Sequence, residues 1–346
     1  MTLTGSSSQG EVTGHRQPRT AVVMNERAWS NGFGAAQRHR LHDLADLGGH
    51  GRVSALDQLP EDWLQVVEVV ITGWGAPRMT HQILDAAPCL RLVAHAAGSV
   101  KAIATPECLD RGMIVTSAAA ANAIPVAEFT LAAVIMAAKR VFATVEAFRT
   151  QRTKQARPAG IASAYGRTVG VIGFSRIGQR VVELLRCLDV DVLVSDPYAD
   201  RHDVARAGAQ LVELDELLQG SDIVTIHAPA TPATCHLLDA SRLALIPDAG
   251  TVINTARGSL IEPSALEREC VSGRLSAILD VTEPEPLPPE SPLWGLPNVT
   301  LTPHLAGSQT TEVQRLANAA LDELEAFARG GAAMHPVLLD EMERLA

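Results

Sequence analysis

One stretch limits what this chain can fold into more than any other. Residues 166–196 read GRTVGVIGFSRIGQRVVELLRCLDVDVLVSD. Residues 168–172 form a short apolar run rich in β-branched side chains, the pattern of a strand buried in a parallel sheet. A tight turn follows, Gly173-Phe174-Ser175-Arg176-Ile177-Gly178. A helical pattern then puts Ile177, Val181, Leu184, Leu185 and Leu188 on one face. Residues 191–195 make a second strand, and Asp196 closes it.

Strand, glycine turn, helix, strand and terminal acid together describe the first βαβ unit of a dinucleotide-binding domain. Gly173 permits the sharp turn off the strand, and Gly178 lets helix and strand pack closely. The helix N-terminus then offers free N–H groups and a partial positive charge to a pyrophosphate. Asp196 lies eighteen residues after Gly178, where an acid binds a ribose 2′-hydroxyl. An acid there favours NAD and repels the 2′-phosphate of NADP. Arg201 and Arg206 lie close by in sequence, so NADP stays as the lesser alternative. The middle glycine of the fingerprint is Ser175. Its Cβ should hold the backbone slightly away from the phosphates, while its hydroxyl can donate a hydrogen bond.

The 346 residues suffice for two domains. Strands are expected at 21–24, 66–72, 92–96 and 113–116, with helices around 35–47 and 80–87, a parallel α/β layer ahead of the fingerprint. Ligands in such sheets sit beyond the carboxyl ends of strands. That singles out the loops at Trp74 and at Gly98-Ser99 as substrate-facing. Residues 122–140 read as an apolar helix. From Pro125 to Ala138 it is too short to cross a membrane and contains Glu128, so burial at a domain or subunit interface is expected. Residues 150–164 read as an exposed arm. Further strands are expected at 223–226, 251–253, 277–279 and 299–301, with helices at 263–271 and 308–329.

A net charge of −10 argues against a nucleic-acid or anionic-membrane surface. The five cysteines are scattered and odd in number, without a C-x-x-C pair. That suits reduced, buried thiols in a cytosolic protein rather than disulfides or a metal site. Residues 1–19, rich in Ser, Gly, Thr and Gln, lack the hydrophobic segment of a signal peptide and read as a disordered tail.

Three strand ends carry chemistry. Arg257 follows one strand within NTARG, Glu285 follows the next within DVTEPEP, and His304 follows the last within TPH. Singly, each has a bland explanation as a surface ion-pair former or loop residue. Together they belong on one edge of one sheet.

The sequence resembles the D-isomer-specific 2-hydroxyacid dehydrogenases. The resemblance runs through NAIPVAE at 122–128, VGVIGFSRIG at 169–178, the Asp196 region, HAPATPAT at 227–234, NTARG at 254–258, DVTEPEP at 280–286 and TPHLAG at 302–307. It implies two parallel-sheet α/β domains, a Rossmann NAD-binding domain (120–307) inserted into a flavodoxin-like substrate domain (20–119, with a C-terminal return at 308–346). It also implies a site in the cleft, hinges near Ser117 and Ala306, and a homodimer built on the 122–140 helix.

The resemblance further implies that Arg257 anchors the substrate carboxylate, that His304 is the acid–base group, and that Glu285, rather than Glu283, orients the imidazole. Gly98 and Ser99 would grip the carboxylate, with Trp74 nearby. Ser175, Arg176 and Ile177 would lie on the pyrophosphate, and Asp196 with Pro197 on the adenosine ribose. Ala228, Pro229 and Thr234 would line the dinucleotide groove, and Ala256 and Asp280 the nicotinamide end. His227 reads as structural. The implied reaction interconverts a 2-keto acid and its D-2-hydroxy acid by hydride transfer with NAD(H). Trp74 stands where members acting on phosphorylated acids tend to place a basic group, so a small or apolar acid is expected. The alternatives are glyoxylate or hydroxypyruvate specifically, or an NAD(H)-sensing protein without turnover.

Overall fold

The computed structural model describes residues 16–156 and 163–338. The tail up to residue 15, part of the 150–164 segment and residues 339–346 lie outside the described residues. The chain divides into two compact units. The first comprises the chain up to Ala96, Ile103–Ser117 and Ala317–Val337; the second takes Ala97–Ala102 and Ala118–Leu316.

The first unit carries β1 (Thr20–Val23), β2 (Val69–Thr72), β3 (Leu92–His95) and β4 (Ile114–Ser117), all parallel and adjacent in that order. Val53 adds a single parallel bridge to Val23, with Val53 N–H donating to the Val22 carbonyl at 2.9 Å. Counting that residue as a vestigial strand, the order across the sheet becomes 2-1-3-4-5, that of flavodoxin-like folds. β1, β2 and β3 are buried along their whole length, as strands covered on both faces must be. Phe33 and Leu41 pack on them together with Leu321 and Leu324 of the helix Val313–Ala328. The C-terminal segment shields the β4 edge. Pro336 bridges Thr116, and Val337 N–H donates to the Val115 carbonyl at 2.8 Å. Buried Glu323 anchors that segment by accepting from the N–H groups of Met334 and His335.

The second unit holds β5 (Arg167–Ile172), β6 (Val190–Ser195), β7 (Gln210–Leu211), β8 (Ile223–Ile226), β9 (Thr251–Asn254), β10 (Ser276–Leu279) and β11 (Val299–Leu301). All pairings are parallel, in the order β11-β10-β9-β8-β5-β6-β7. Counted from β5, this is the doubly wound 3-2-1-4-5-6 order with a seventh strand added. Alternation along each strand feeds two cores. On one face Val181, Val182 and Leu185 of the helix Arg176–Leu185 pack with Ala127, Ala133 and Val134 of the helix Ala119–Ala138. On the other lie Leu217, Leu218, Leu243, Ala265 and Leu266. One row of register partners crosses the sheet, from Ser195 through Ile172, Ile226, Asn254 and Leu279 to Leu301. Every turn that leaves this row does so on the same edge.

Three expectations need correction. The apolar helix spans Ala119–Ala138, twenty residues, where 122–140 was expected, so Pro125 sits in its second turn rather than its first. By length and composition alone it is long enough to cross a membrane. Its apolar run is explained by packing, because Ala127, Thr130 and Val134 are fully buried in the second unit. A further helix, Val141–Gln151, follows a left-handed break at Arg140, so helix replaces the first residues of the expected arm. Of the free cysteines, Cys108 and Cys270 are buried, and burial pushes the Cys270 thiol up to about 12. Cys89, Cys187 and Cys235 are exposed; the first two lie in turns after helices, where no core position exists to fill.

Candidate active site

The fingerprint turn leaves β5 at the switch point, where β5 and β8 lie side by side and their connections diverge. Gly173 has φ +92°, and a Cβ there would stand 2.7 Å from the Ala228 nitrogen. A Cβ on Gly178 would stand 1.9 Å from the Gly173 carbonyl oxygen. Neither position admits a side chain, so the helix Arg176–Leu185 starts hard against the strand ends.

Ser175 is the N-cap residue of that helix, but its side chain makes no cap bond. Its hydroxyl donates to the His227 carbonyl at 3.2 Å, bracing β5 against β8. The first-turn N–H groups of Arg176, Ile177 and Gly178 therefore face outward without a side-chain cap, as anion-binding helix ends do.

Asp196 directly follows β6. Its Oδ2 accepts from Phe174 N–H at 2.7 Å and its Oδ1 from Tyr198 N–H at 2.8 Å, across Pro197. A carboxylate has about four acceptor sites, so capacity remains for a ribose hydroxyl. Ala228 is buried against Gly173. The Thr234 hydroxyl donates to the Pro229 carbonyl at 2.6 Å and accepts from Thr231 N–H at 2.8 Å, so its polar capacity shapes the 229–234 loop. Close approach at the glycines, the open helix end and the acid at the end of β6 fit a dinucleotide.

His227 is buried behind this turn. Its Nε2 pairs with Thr225 Oγ1 at 3.0 Å, and its Nδ1 has no partner among the described residues. Burial alone pushes its pKa down to about 3, and the ring is neutral.

The reactive residues leave three adjacent strands. After β9, Asn254 folds the turn: its Oδ1 accepts from Ala256 N–H at 3.0 Å and its Nδ2 donates to the Arg257 carbonyl at 2.8 Å. Arg257 is half-buried, and its Nη1 donates to the Ala256 carbonyl at 2.6 Å. The next residue, Gly258, presses on the turn after β10, since a Cβ there would lie 2.1 Å from the Thr282 carbonyl carbon.

After β10 comes Asp280, 2 % exposed. Its Oδ1 accepts from Thr302 Oγ1 at 2.6 Å and Leu305 N–H at 2.8 Å, and its Oδ2 accepts from Ala306 N–H at 2.9 Å. Its backbone carbonyl accepts from His304 N–H at 3.0 Å. His304 has φ +52°, a left-handed conformation that costs a non-glycine residue about 1–2 kcal/mol. The Asp280 bonds hold it there.

Glu285 Oε1 accepts from His304 Nδ1 at 2.8 Å, while Glu283 pairs with His236 at 3.5 Å. With Nδ1–H donated to a carboxylate, Nε2 is the ring atom left for proton exchange. Neighbouring strands lie about 5 Å apart, so the turns bearing Arg257 and His304 start about 10 Å apart, on either side of Asp280.

Gly98 and Ser99 belong to the second unit, where Ala118 N–H donates to the Ala97 carbonyl at 3.0 Å. Trp74 belongs to the first. It follows β2 and is 41 % exposed, and its carbonyl accepts from Asn25 N–H at 2.9 Å. Sequence reasoning missed the supporting residues Asn122, Asn254 and Thr302. Only Asn254 left a signal, being a polar side chain at the end of an apolar strand.

The description "D-isomer specific 2-hydroxyacid dehydrogenase, NAD binding domain" matches residues 131–306. D-3-phosphoglycerate dehydrogenase of Methanocaldococcus jannaschii is 33 % identical over 258 residues, 74 % of this chain and 48 % of that protein. Glyoxylate reductase of Thermofilum pendens is 35 % identical over 266 residues, 75 % of this chain and 78 % of that protein. The crystal structure of D-lactate dehydrogenase from Aquifex aeolicus, complexed with NAD and lactic acid, superposes with TM-score 0.69 at 26 % identity. That superposition covers 90 % of this chain and 96 % of the other. The chain spans about half the length of the phosphoglycerate dehydrogenases it matches. With residues 131–306 matched and relatives above 30 % identity over about three-quarters of the sequence, the chain belongs to the D-isomer-specific 2-hydroxyacid dehydrogenase family.

Proposed function

We propose that this protein is an NAD-dependent oxidoreductase that interconverts small or apolar 2-keto acids and D-2-hydroxy acids. The observation that carries this reading is the His304–Glu285 pair at 2.8 Å, leaving the same sheet edge as Arg257 and the nucleotide turn. NADH, when bound, supplies the hydride. Arg257 holds the substrate carboxylate and polarises the keto oxygen with its fork of N–H donors. The backbone of Gly98 and Ser99 grips the same carboxylate. His304 delivers a proton from Nε2 to the keto oxygen as the carbonyl is reduced, and takes it back in the reverse direction. Glu285 keeps the imidazole oriented throughout. Asp196 and Pro197 receive the adenosine ribose, and Ala228 and Ala256 line the groove. Asp280, its oxygens turned to Thr302, Leu305 and Ala306, acts on the nicotinamide end through the turn it holds.

A second reading, specific reduction of glyoxylate or hydroxypyruvate, is favoured by the similarity to an archaeal glyoxylate reductase. Relatives named D-3-phosphoglycerate dehydrogenase, and exposed Arg78 in the Trp74 loop, bring a phosphorylated acid into the test as well. A homodimer is also proposed. Its support is an apolar stripe of Phe142, Val145 and Phe148 at helical spacing, all exposed, with Ile135 of the preceding helix exposed as well.

The test is oxidation of NADH, and separately NADPH, with glyoxylate, hydroxypyruvate, pyruvate, longer apolar 2-keto acids and 3-phosphohydroxypyruvate. Turnover fastest with NADH and an unphosphorylated acid is expected. Saturable NADH binding without turnover across the panel would mean a nucleotide sensor instead.

A further inference from the structure

Asn122 sits in the first turn of the helix Ala119–Ala138 and takes no part in the chemistry set out above. Its Oδ1 accepts from the backbone N–H of Ser308 at 3.0 Å. Ser308 is buried, and its hydroxyl has no partner among the described residues. Removing the acceptor would leave a buried N–H unmet, and an unmet buried donor forfeits its whole solvation. Accepting from a backbone donor also fixes which way round the amide lies. The carboxamide faces two glycines. Its Nδ2 would stand 3.4 Å from a Cβ on Gly98, and its Oδ1 3.4 Å from a Cβ on Gly307.

These contacts join two segments that the reaction needs. Residues Ala97–Ala102 cluster with the unit that carries His304, although the residues on either side of them cluster with the other unit. What holds them there is the Ala118 N–H bond to the Ala97 carbonyl and Lys101 Nζ on the Ala230 carbonyl at 3.4 Å, and the Asn122 amide faces Gly98 from the helix. The segment from His304 to Ser308 is pinned from two sides. Asp280 takes the N–H groups of Leu305 and Ala306, and Asn122 takes that of Ser308. One side chain therefore faces the glycine turn on one side, leaving no spare room for a side chain there, and fastens the histidine turn on the other.

We propose that Asn122 is a positioning residue that fixes the separation between the Gly98–Ser99 turn and the His304 turn. It thereby sets the distance between the bound carboxylate and the proton donor. The proposal rests on the 2-keto acid reductase reading. Misplacement by about 1 Å can cost about 100-fold in rate, so a single amide bond is enough to matter.

The test compares Asn122→Ala and Asn122→Asp with the wild type. It measures kcat and KM for glyoxylate with NADH, NADH affinity by fluorescence, and hydrogen exchange of the peptide containing Ser308. Asn122→Ala is expected to lower kcat about 10- to 100-fold and to speed exchange at Ser308, with NADH affinity within about twofold. Asn122→Asp keeps an acceptor for Ser308, so it should restore slow exchange and most of kcat, while its charge raises KM. A kcat for Asn122→Ala within about twofold of wild type would overturn the proposal. So would an Asn122→Asp kcat as low as that of the alanine variant despite restored protection. If the wild type turns over no acid, the functional reading fails, and the exchange data still decide whether Asn122 fastens the turn. Fast exchange at Ser308 in the wild type itself refutes the tie, whether or not the variants fold.

Discussion

At the scale of single residues, His227 shows how burial sets a charge state. Folding takes the ring out of water beside Thr225 and offers Nδ1 no protein partner among the described residues. Its folded pKa of about 3 lies below the ordinary 6.5, so the unfolded chain binds the extra proton in between. Stability is therefore lost as pH falls from about 6.5 towards 3, by about 2 kcal/mol at pH 5. Urea unfolding of wild type and His227→Gln at pH 7.5 and pH 5 checks this. The wild type should lose about 2 kcal/mol more than the variant over that interval; equal losses would mean the imidazole is not the group responsible. The sequence pointed to a structural role for His227, because a histidine at the end of an apolar strand is more often packed than reactive. Its protonation depends on burial, which no local pattern encodes. Ser175 is similar: a donor hydroxyl was legible, but its partner, the His227 carbonyl, lies across the sheet.

At the scale of elements, the turns after β9, β10 and β11 were legible as chemistry because Arg257, Glu285 and His304 each follow an apolar run. Which residues hold those turns was not legible, since the holding bonds link residues far apart in sequence. Asp280 is the main case. The family resemblance implied contact with the nicotinamide; the structure adds that its carboxylate accepts from Thr302, Leu305 and Ala306. Asp280→Asn keeps the size but turns an N–H2 group towards donors. It should cost about 1–3 kcal/mol, lower the melting temperature by several degrees, and reduce kcat more than NADH affinity. Unchanged melting and turnover would show that the His304 turn stands without the carboxylate. β7, two residues long, and the single-residue bridge at Val53 escaped sequence reading because neither is long enough to show a period. The apolar helix was legible, but its bounds lay two to three residues late, because no capping residue in the alanine-rich run at 118–121 marks where it begins.

At the scale of the whole molecule, alternation of strand and helix made two parallel sheets legible. The order of strands within each sheet came only from the structure. The exposed stripe of Phe142, Val145 and Phe148 belongs to this scale, since nothing within the described residues covers it. Sedimentation velocity should find wild type as a dimer and Phe148→Glu shifted to monomer with unchanged circular dichroism. A monomeric wild type, or a variant that stays dimeric, would remove this stripe from the interface. The central claim is that proton transfer runs through the His304–Glu285 pair beside bound NADH. It is tested most directly by kcat of His304→Ala with the best 2-keto acid, alongside NADH affinity of the same preparation. The account predicts a fall of about 100-fold or more in kcat with NADH affinity within about twofold; a variant that turns over like wild type would contradict it.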